Sequence, residues 1–363
     1  MSNSPVWALE PHTIAKHELL EGYLDAWFPI ICRYNNQVNY IDGFAGPGQY
    51  AGGEKGSPII AIESAMRHIK NKTISSSVKL NFFFVERDKN CAAHLNAQLE
   101  PFRAQPQFQI EVIEGEFSKE MSSALDVLET ENKNPAPIFA FIDPFGFSGI
   151  PMSLVARILQ FPRCEVFINL MAEHINRFLQ HPDEGVTSHF PVTFGTDEVL
   201  EIPHRDGNRL ANILDLYRDR LRRYAEYVGR FDMRGRKDQK TYSLFFATNN
   251  ASGFIKMKEA MWVVDKHSGN LFSDADPTPV SLFAKQGFEP LWDELKMEFA
   301  GRTVPMSVLE KFVIEKTDYL PKHARDILTR REKSNEITAQ ALPGFKRRAK
   351  SFPNDKVQIT FPS

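Results

Sequence analysis

The sequence predicts an α/β protein: a mostly parallel, doubly wound sheet with an inserted helical segment and a C-terminal winged helix-turn-helix. Three observations predict it. Short apolar runs alternate with helical patterns of about 10–15 residues through the first half of the chain. A glycine-rich loop follows the first of those runs directly. After residue 288 the pattern changes to three helices and a strand-like tail. A chain of 363 residues suits two domains, or one large domain with an appendage. Hydrophobic content of 42% with 25% charged residues excludes a disordered, collagen-like or disulfide-stapled chain.

Each element has its own warrant. Leu19, Leu20, Tyr23, Leu24, Trp27 and Phe28 recur at helical spacing and predict a helix over 13–31. Val38 to Ile41 is a short strand ending at Asp42. The run GFAGPGQYAGG is too glycine-rich for regular structure. A helix resumes at Pro58, a good first-turn residue, with Ser57 as its expected N-cap. Strands follow at 80–86, 108–115, 137–143 and 164–171, with helices at 89–102, 118–131 and 151–160 between them. The pattern loosens over about 173–240, with one clear helix at 208–225, and reads as an insertion. Strand 241–249 and helix 253–264 close the sheet, so the first domain is expected to span 1–285. Helices at 289–299, 305–316 and 321–333, with the tail 356–361, place the winged helix at 286–363.

Charge and cysteine content narrow the class. The net charge is −2, so the chain is no uniformly basic coat for nucleic acid. The near neutrality hides a split: residues 291–363 carry 14 basic and 10 acidic side chains, and the rest is net acidic. Cys32, Cys91 and Cys164 are odd in number and show no CxxC spacing, which argues against a disulfide framework and a structural zinc site. The opening residues lack a signal-peptide pattern, and no run approaches 18 apolar residues. A cytoplasmic protein with no membrane span is expected.

Three acidic motifs fall at successive strand ends. Asp42-Gly43-Phe44-Ala45-Gly46-Pro47-Gly48 follows the first strand. Glycines there let a backbone approach a ligand closely, and ligands of doubly wound sheets bind beyond the carboxyl ends of the strands. The loop matches neither GxxxxGK[ST] nor GxGxxG, so neither a P-loop nor a dinucleotide fingerprint is present. It resembles the D-x-F-x-G-x-G loop of S-adenosylmethionine-dependent methyltransferases. The alternative is a plain tight turn. Glu86 ends the second strand, where an acid accepts hydrogen bonds from ribose hydroxyls. Glu114 and Glu116 stand after the third strand, and Glu116 is the favoured contact to an adenine amino group. Asp143-Pro144-Phe145 follows the fourth strand. Amino-methyltransferases carry D/N-P-P-Y/F there, with the acid and the next carbonyl holding the target amine and the aromatic stacking on an extruded base. Here the aromatic is third and glycine fourth, a departure from that pattern. GxSxG and HExxH are absent, and His174, His181, His189 and His204 have irregular spacing, so neither a hydrolase elbow nor a metal is expected.

YIDGFAGPGQY, the GSP at 56–58, FFFVERD, FIDPFGF and YSLFFATN with KMKEAMW resemble the three-Cys-motif partner protein family, TcmP, over nearly the whole chain. The resemblance implies a Rossmann-like methyltransferase fold and S-adenosylmethionine as cofactor. It implies a separate partner with a three-cysteine motif, similar to radical S-adenosylmethionine enzymes. It also implies a role in nucleic-acid modification, repair or phage-related conflict. Carried onto this sequence, Asp42, Gly43, Phe44, Gly46 and Gly48 would line the methionine and ribose side of the cofactor. Glu86 would hold ribose and Glu116 adenine. Asp143, Pro144 and Phe145 would face the target, and Lys16 and His17 would close the pocket from above. The reaction expected is methyl transfer to an amino or ring nitrogen of a base. The rivals are a non-catalytic adaptor that recruits the three-cysteine protein, and a nucleoside-processing hydrolase.

A nucleic-acid substrate needs a basic surface. Residues 218–240 interleave Arg222, Arg223, Arg234 and Arg236 with Tyr224, Tyr227 and Phe231, a pattern suited to phosphates and unpaired bases. The alternative is a solvated helix face. Lys322, His323 and Arg325 fall on the expected recognition helix, with Arg330, Arg331 and Lys333 after them and Lys346 to Lys350 in the wing.

Overall fold

The computed structural model describes residues 9–144, 150–235, 240–273, 288–354 and 356–362. Two compact units are present, Met1–Val264 with Leu271–Pro277, and Asp265–Asn270 with Thr278–Ser363.

The first unit begins with α1 (Pro11–Cys32), β1 (Gln37–Asp42) and α2 (Ser57–Lys70). It continues through β2 (Lys79–Glu86), α3 (Lys89–Leu99), β3 (Phe108–Glu114), α4 (Phe117–Thr130), β4 (Ile138–Ile142), α5 (Met152–Leu159) and β5 (Cys164–Leu170). The sequence-predicted elements therefore stand within a few residues of their expected ends. Ser57 is the first residue of α2, and Gly56 takes the cap position, because Pro58 fixes the first turn one residue earlier than expected.

Four helices follow: α6 (Ala172–Phe178), α7 (Glu184–Thr187), α8 (His189–Phe194) and α9 (Arg209–Leu221). The expected insertion ends earlier than 240, because β6 (Tyr227–Arg234) is a strand of the main sheet. β7 (Lys240–Thr248), α10 (Ala251–Val264) and β8 (Leu271–Ser273) complete the unit.

The strands form one sheet in the order β3-β2-β1-β4-β5-β7-β6-β8. β1 pairs parallel with both β2 and β4, and β4 with β5. β7 runs antiparallel to both β5 and β6. This is a mostly parallel, doubly wound, Rossmann-like sheet. Its strand order reverses between β1 and β4, which opens a crevice at their carboxyl ends.

Alternating side chains bury both faces. Tyr40, Phe82 and Phe139 face α1, whose Tyr23 and Trp27 rings lie 5.2 and 5.8 Å from Phe139. Ile41, Val85, Ala140 and Ile142 face the other way, into a core with Met121, Leu125, Val155 and Ile158 of α4 and α5. At the amino end of β5, buried Glu165 accepts from Tyr23 Oη at 2.5 Å and Thr248 Oγ1 at 2.8 Å, tying α1 to the sheet.

The second unit holds α11 (Glu289–Phe299), β9 (Thr303–Pro305), α12 (Met306–Lys316), α13 (Pro321–Lys333), β10 (Thr338–Ala341) and β11 (Val357–Thr360). Its strands make a three-stranded antiparallel sheet, β10-β11-β9, where the sequence showed only the strand-like tail at 356–361. Among the described residues no helix is long and apolar enough to cross a membrane.

Candidate functional site

The crevice at the strand switch gathers the acids the sequence singled out. Asp42 ends β1, Glu86 ends β2, Glu114 ends β3 and Asp143 follows β4. The β1 loop is pinned where it leaves the sheet. Gly43 N donates to Phe141 O at 2.9 Å and Ala45 N to Val85 O at 3.0 Å. Gly46 N donates to Glu86 Oε2 at 2.8 Å, so the second strand's acid holds the first strand's loop. Asp88 N donates to Glu86 Oε1 at 2.7 Å. Gly48 adopts φ +80°, and Gly56 N closes the loop on Gly48 O at 2.8 Å. A Cβ at Gly43 would lie 2.7 Å from the Phe117 ring, so glycine is required there for packing.

A cavity of about 540 Å³ opens beside this loop. Gly43, Phe44, Glu86, Glu116 and Pro144 line it. The volume is in the range of small-molecule sites, roughly 300–1,000 Å³. Glu116 lines the cavity and Glu114 does not. Asp42, Gly46 and Gly48 are not part of its wall. Phe145 lies outside the described residues.

Asp42 is 0% exposed. Phe44 N donates to its Oδ1 at 3.2 Å. Its Oδ2 meets no partner at hydrogen-bond geometry. Burial raises its pKa to about 7; the Ser57 hydroxyl and the Phe44 amide oppose the rise, while Asp143 and Glu86 add to it. The same burial, with Asp143 and Asp42 nearby, pushes the Tyr50 phenol up.

Asp143 is held from two sides. Lys16 Nζ of α1 pairs with its Oδ2, and Asn169 Nδ2 of β5 donates to its Oδ1 at 2.7 Å. Lys16 is only 6% exposed, and its ammonium lies 5.5 Å from the Tyr242 ring centre. His17, next along α1, is 7% exposed and faces the Tyr50 ring at 5.8 Å. Its burial, the Lys16 cation and, in opposition, Asp143 hold its pKa at about 3, so it stays neutral. Lys16 and His17 were expected to close the cofactor pocket. They are not in the cavity wall and stand against Asp143 and Tyr50 instead.

Sequence reasoning missed Asn169 and Tyr50. The signal for Asn169 was a polar residue inside the apolar strand CEVFINL, where its Oδ1 is buried without a partner.

No family model and no curated protein matches the chain. Solved structures do. The chain is similar to the O-methyltransferase TomG from Streptomyces achromogenes in complex with SAM, at 11% identity over 67% of this chain and 82% of that one, with a TM-score of 0.35. It is similar to the O-methyltransferase from Bacillus cereus in complex with SAH, at 12% identity over 68% and 84%, TM-score 0.35. Spermidine synthase from Thermotoga maritima is similar at 11% identity over 65% and 61%, TM-score 0.32. The fold assignment stands on the strand order and register.

The basic segment departs from its expected form. Phe231 is buried in the core from β6 and offers no stacking face. Arg222 and Arg223 are exposed at the end of α9, Arg222 within 3.4 Å of Asp219. Arg234 is half-buried on β6, and Arg236 lies outside the described residues. In the second unit Lys322 is exposed on α13. Arg325 is tied to Glu310 and Asn354 at 2.9 Å each, and His323 is buried, its Nδ1 accepting from Leu320 N. Those two residues serve the unit's own packing. Among the described residues no three His, Cys, Asp or Glu side chains form a group that could hold a metal ion.

Proposed function

We propose that this protein is an S-adenosylmethionine-dependent methyltransferase acting on a nitrogen of a nucleic-acid base. The observation that carries this is a 540 Å³ cavity beside the strand switch, lined by Gly43 and Phe44 of the β1 loop, Glu86, Glu116 and Pro144, with Asp42 and Asp143 at the neighbouring strand ends but outside its wall. The residues fit the cofactor. A carboxylate offers about four lone-pair sites, so Glu86 keeps capacity for ribose hydroxyls beyond its two amide partners. Glu116 lines the same cavity and would meet the adenine amino group. Asp42 Oδ2 is a buried acceptor without a partner behind the loop. When bound, the sulfonium supplies an electrophilic methyl group and needs no metal. Asp143 and the Pro144 carbonyl position the acceptor.

The second unit is read as a winged helix-turn-helix, with α12 and α13 as the helix pair, and exposed Lys322, Lys346 and Lys350 supply phosphate contacts. The sequence resemblance to the three-Cys-motif partner family is the ground for proposing a separate three-cysteine protein as partner. A non-catalytic adaptor is the second reading, favoured by the fact that both Asp143 oxygens already accept hydrogen bonds.

Calorimetric titration with S-adenosylmethionine tests the first reading. Binding is expected, and none at millimolar ligand overturns it in favour of the adaptor. With binding established, Asp143→Ala is expected to cut methyl transfer to nucleic acid about 10²-fold. Unchanged turnover would remove Asp143 from the site.

A further inference from the structure

Resting on the methyltransferase reading, we infer that α8 of the insertion forms the acceptor side of the cavity, where His189 takes the proton that the acceptor nitrogen sheds and Val192 lies against the ring that carries it.

The cavity wall follows the strand order. Glu116 comes after β3, Glu86 ends β2, Gly43 follows β1 and Pro144 follows β4. α8 packs against α5, the helix that comes after β4. A Cβ on Gly195, the residue that ends α8, would lie 3.0 Å from Met152 of α5. α8 therefore stands on the β4 side, beside Pro144 and away from the end assigned to adenine. His189 and Val192 of α8 both line the cavity.

The helix has two faces. Phe190, Thr193 and Phe194 are buried. Arg220 of α9 fixes the far end of α8, donating to Phe194 O at 3.0 Å and Gly195 O at 2.6 Å. His189 and Val192 are three residues apart, one turn along the same face, and both are exposed, Val192 at 53%. The polarity of the wall is divided in the same sense. Ile150, Pro151 and Val192 make the β4 side apolar, while Glu86, Arg87 and Glu116 charge the other side. A flat base has an apolar face to set against Val192, and covering that side chain removes apolar surface from water.

His189 is the group on this side suited to move a proton. Of the insertion's His174, His181, His189 and His204, His189 alone lines the cavity. Asp143 stands outside the wall and is taken by Lys16 and Asn169. Glu86 is engaged by the Gly46 and Asp88 amides, and Arg87, Asp88 and Cys91, the other titratable groups of the wall besides Glu116, belong to the β2 side. An imidazole is the usual carrier of protons near neutral pH. The step balances. The acceptor nitrogen gives its lone pair to the methyl carbon, and the electrons of the broken C–S bond stay on sulfur. The nitrogen then holds one hydrogen too many, which passes to His189 and on to water. One positive charge is present throughout, first on sulfur, then on nitrogen, then on the imidazole. A ring nitrogen without hydrogen has nothing to give His189, so the acceptor is a nitrogen that carries hydrogen.

The full chain is saturated with S-adenosylmethionine or with S-adenosylhomocysteine, which differ by the methyl group and its sulfonium charge. Proton NMR follows the His189 imidazole, assigned by its loss in His189→Gln. Its titration midpoint is expected about half a pH unit or more lower with S-adenosylmethionine, because a nearby cation disfavours imidazolium. Midpoints within about 0.1 of each other overturn the inference and leave the methyltransferase reading standing. If calorimetry shows that neither ligand binds, that reading falls and the inference with it. Turnover is read with methyl-labelled S-adenosylmethionine on single-stranded poly(A), poly(C) or poly(U), and label is expected on a nitrogen that carries hydrogen. Label on a ring nitrogen without hydrogen, or on no polymer, overturns the proton step. His189→Ala is expected to lower kcat about 10²-fold, with cofactor affinity within about two-fold, and free imidazole is expected to restore part of the loss. A loss that imidazole does not restore makes His189 structural and overturns its role. Val192→Trp fills the acceptor side and is expected to cut turnover about ten-fold or more at unchanged cofactor affinity. A comparable loss of cofactor affinity puts α8 on the cofactor side and overturns the inference.

Discussion

The acidic crevice and the basic helix α9 are built on opposite principles. Around the crevice, buried polar atoms stand without partners: Asp42 Oδ2 and Asn169 Oδ1. Along α9 and β6 most guanidinium groups are engaged by the protein itself, although Arg218 Nε is also buried without a partner. Arg220 donates to Phe194 O at 3.0 Å and Gly195 O at 2.6 Å, Arg218 pairs with Asp215 at 2.8 Å, and Arg230 reaches Asp215 and Asp232. Charge density alone does not mark a binding surface. Unsatisfied hydrogen-bonding capacity, which costs stability unless a ligand meets it, is the better mark.

Four measurements would break or sharpen that contrast. The largest effect is expected from Asp42→Asn. Folded Asp42 holds its proton up to about pH 7, against an ordinary 3.8, so the folded state binds more protons than the unfolded state between those values. Stability therefore falls as pH rises from about 4 to 7 and is level above, and the substitution should add about 4 kcal/mol at pH 8. His17 acts in the opposite sense: its folded pKa is depressed to about 3, so its contribution is present above the ordinary 6.5 and is lost as pH falls toward 3. Urea denaturation of Asp42→Asn across pH should lose the Asp42 part of the fall in stability between about pH 4 and 7. An unchanged pH profile would mean that Asp42 is not strained by burial.

Next, Glu86→Ala should weaken S-adenosylmethionine binding about 10²-fold by calorimetry, roughly 3 kcal/mol, because a charged acceptor and the loop anchor are lost together. An affinity within two-fold would detach the cavity from the cofactor. Third, Arg220→Ala should lower unfolding free energy by about 2 kcal/mol, with the buried Phe194 carbonyl and the Gly195 carbonyl left unmet, and no change in cofactor affinity. Arg220→Lys should not restore it, since an ammonium lacks the guanidinium fork. Fourth, Lys322→Ala should leave stability within about 0.5 kcal/mol and reduce the salt slope of oligonucleotide binding by about one. No change in slope would remove α13 from the phosphate contacts.

Much of this layout is legible in the residues. Strand ends marked by Asp42, Glu86 and Asp143 follow from apolar runs that stop at an acid. Periodicity locates α11 and α13 because their apolar stripes are unbroken. What local pattern could not show is the pairing of Lys16 with Asp143, 127 residues apart in the chain. It depends on α1 crossing the carboxyl edge of the sheet. β6 escaped for another reason. Its buried Phe231 and Met233 alternate with Arg230, Asp232 and Arg234 at the period of a strand, and its charge drew attention away from that period.

The strand switch also bears on how the chain folds. β1 pairs with β4 across nearly a hundred residues that build α2, β2, α3, β3 and α4 between them. Such non-local closure is entropically slow, so β1, β2 and β3 can associate well before β4 docks. During synthesis from the amino end, the glycine loop and Glu86 would emerge early, while Asp143 and Asn169 arrive on later strands. Ligand affinity should therefore appear late in refolding, and truncation before β4 should leave a chain with ribose-side contacts and nothing to orient an acceptor.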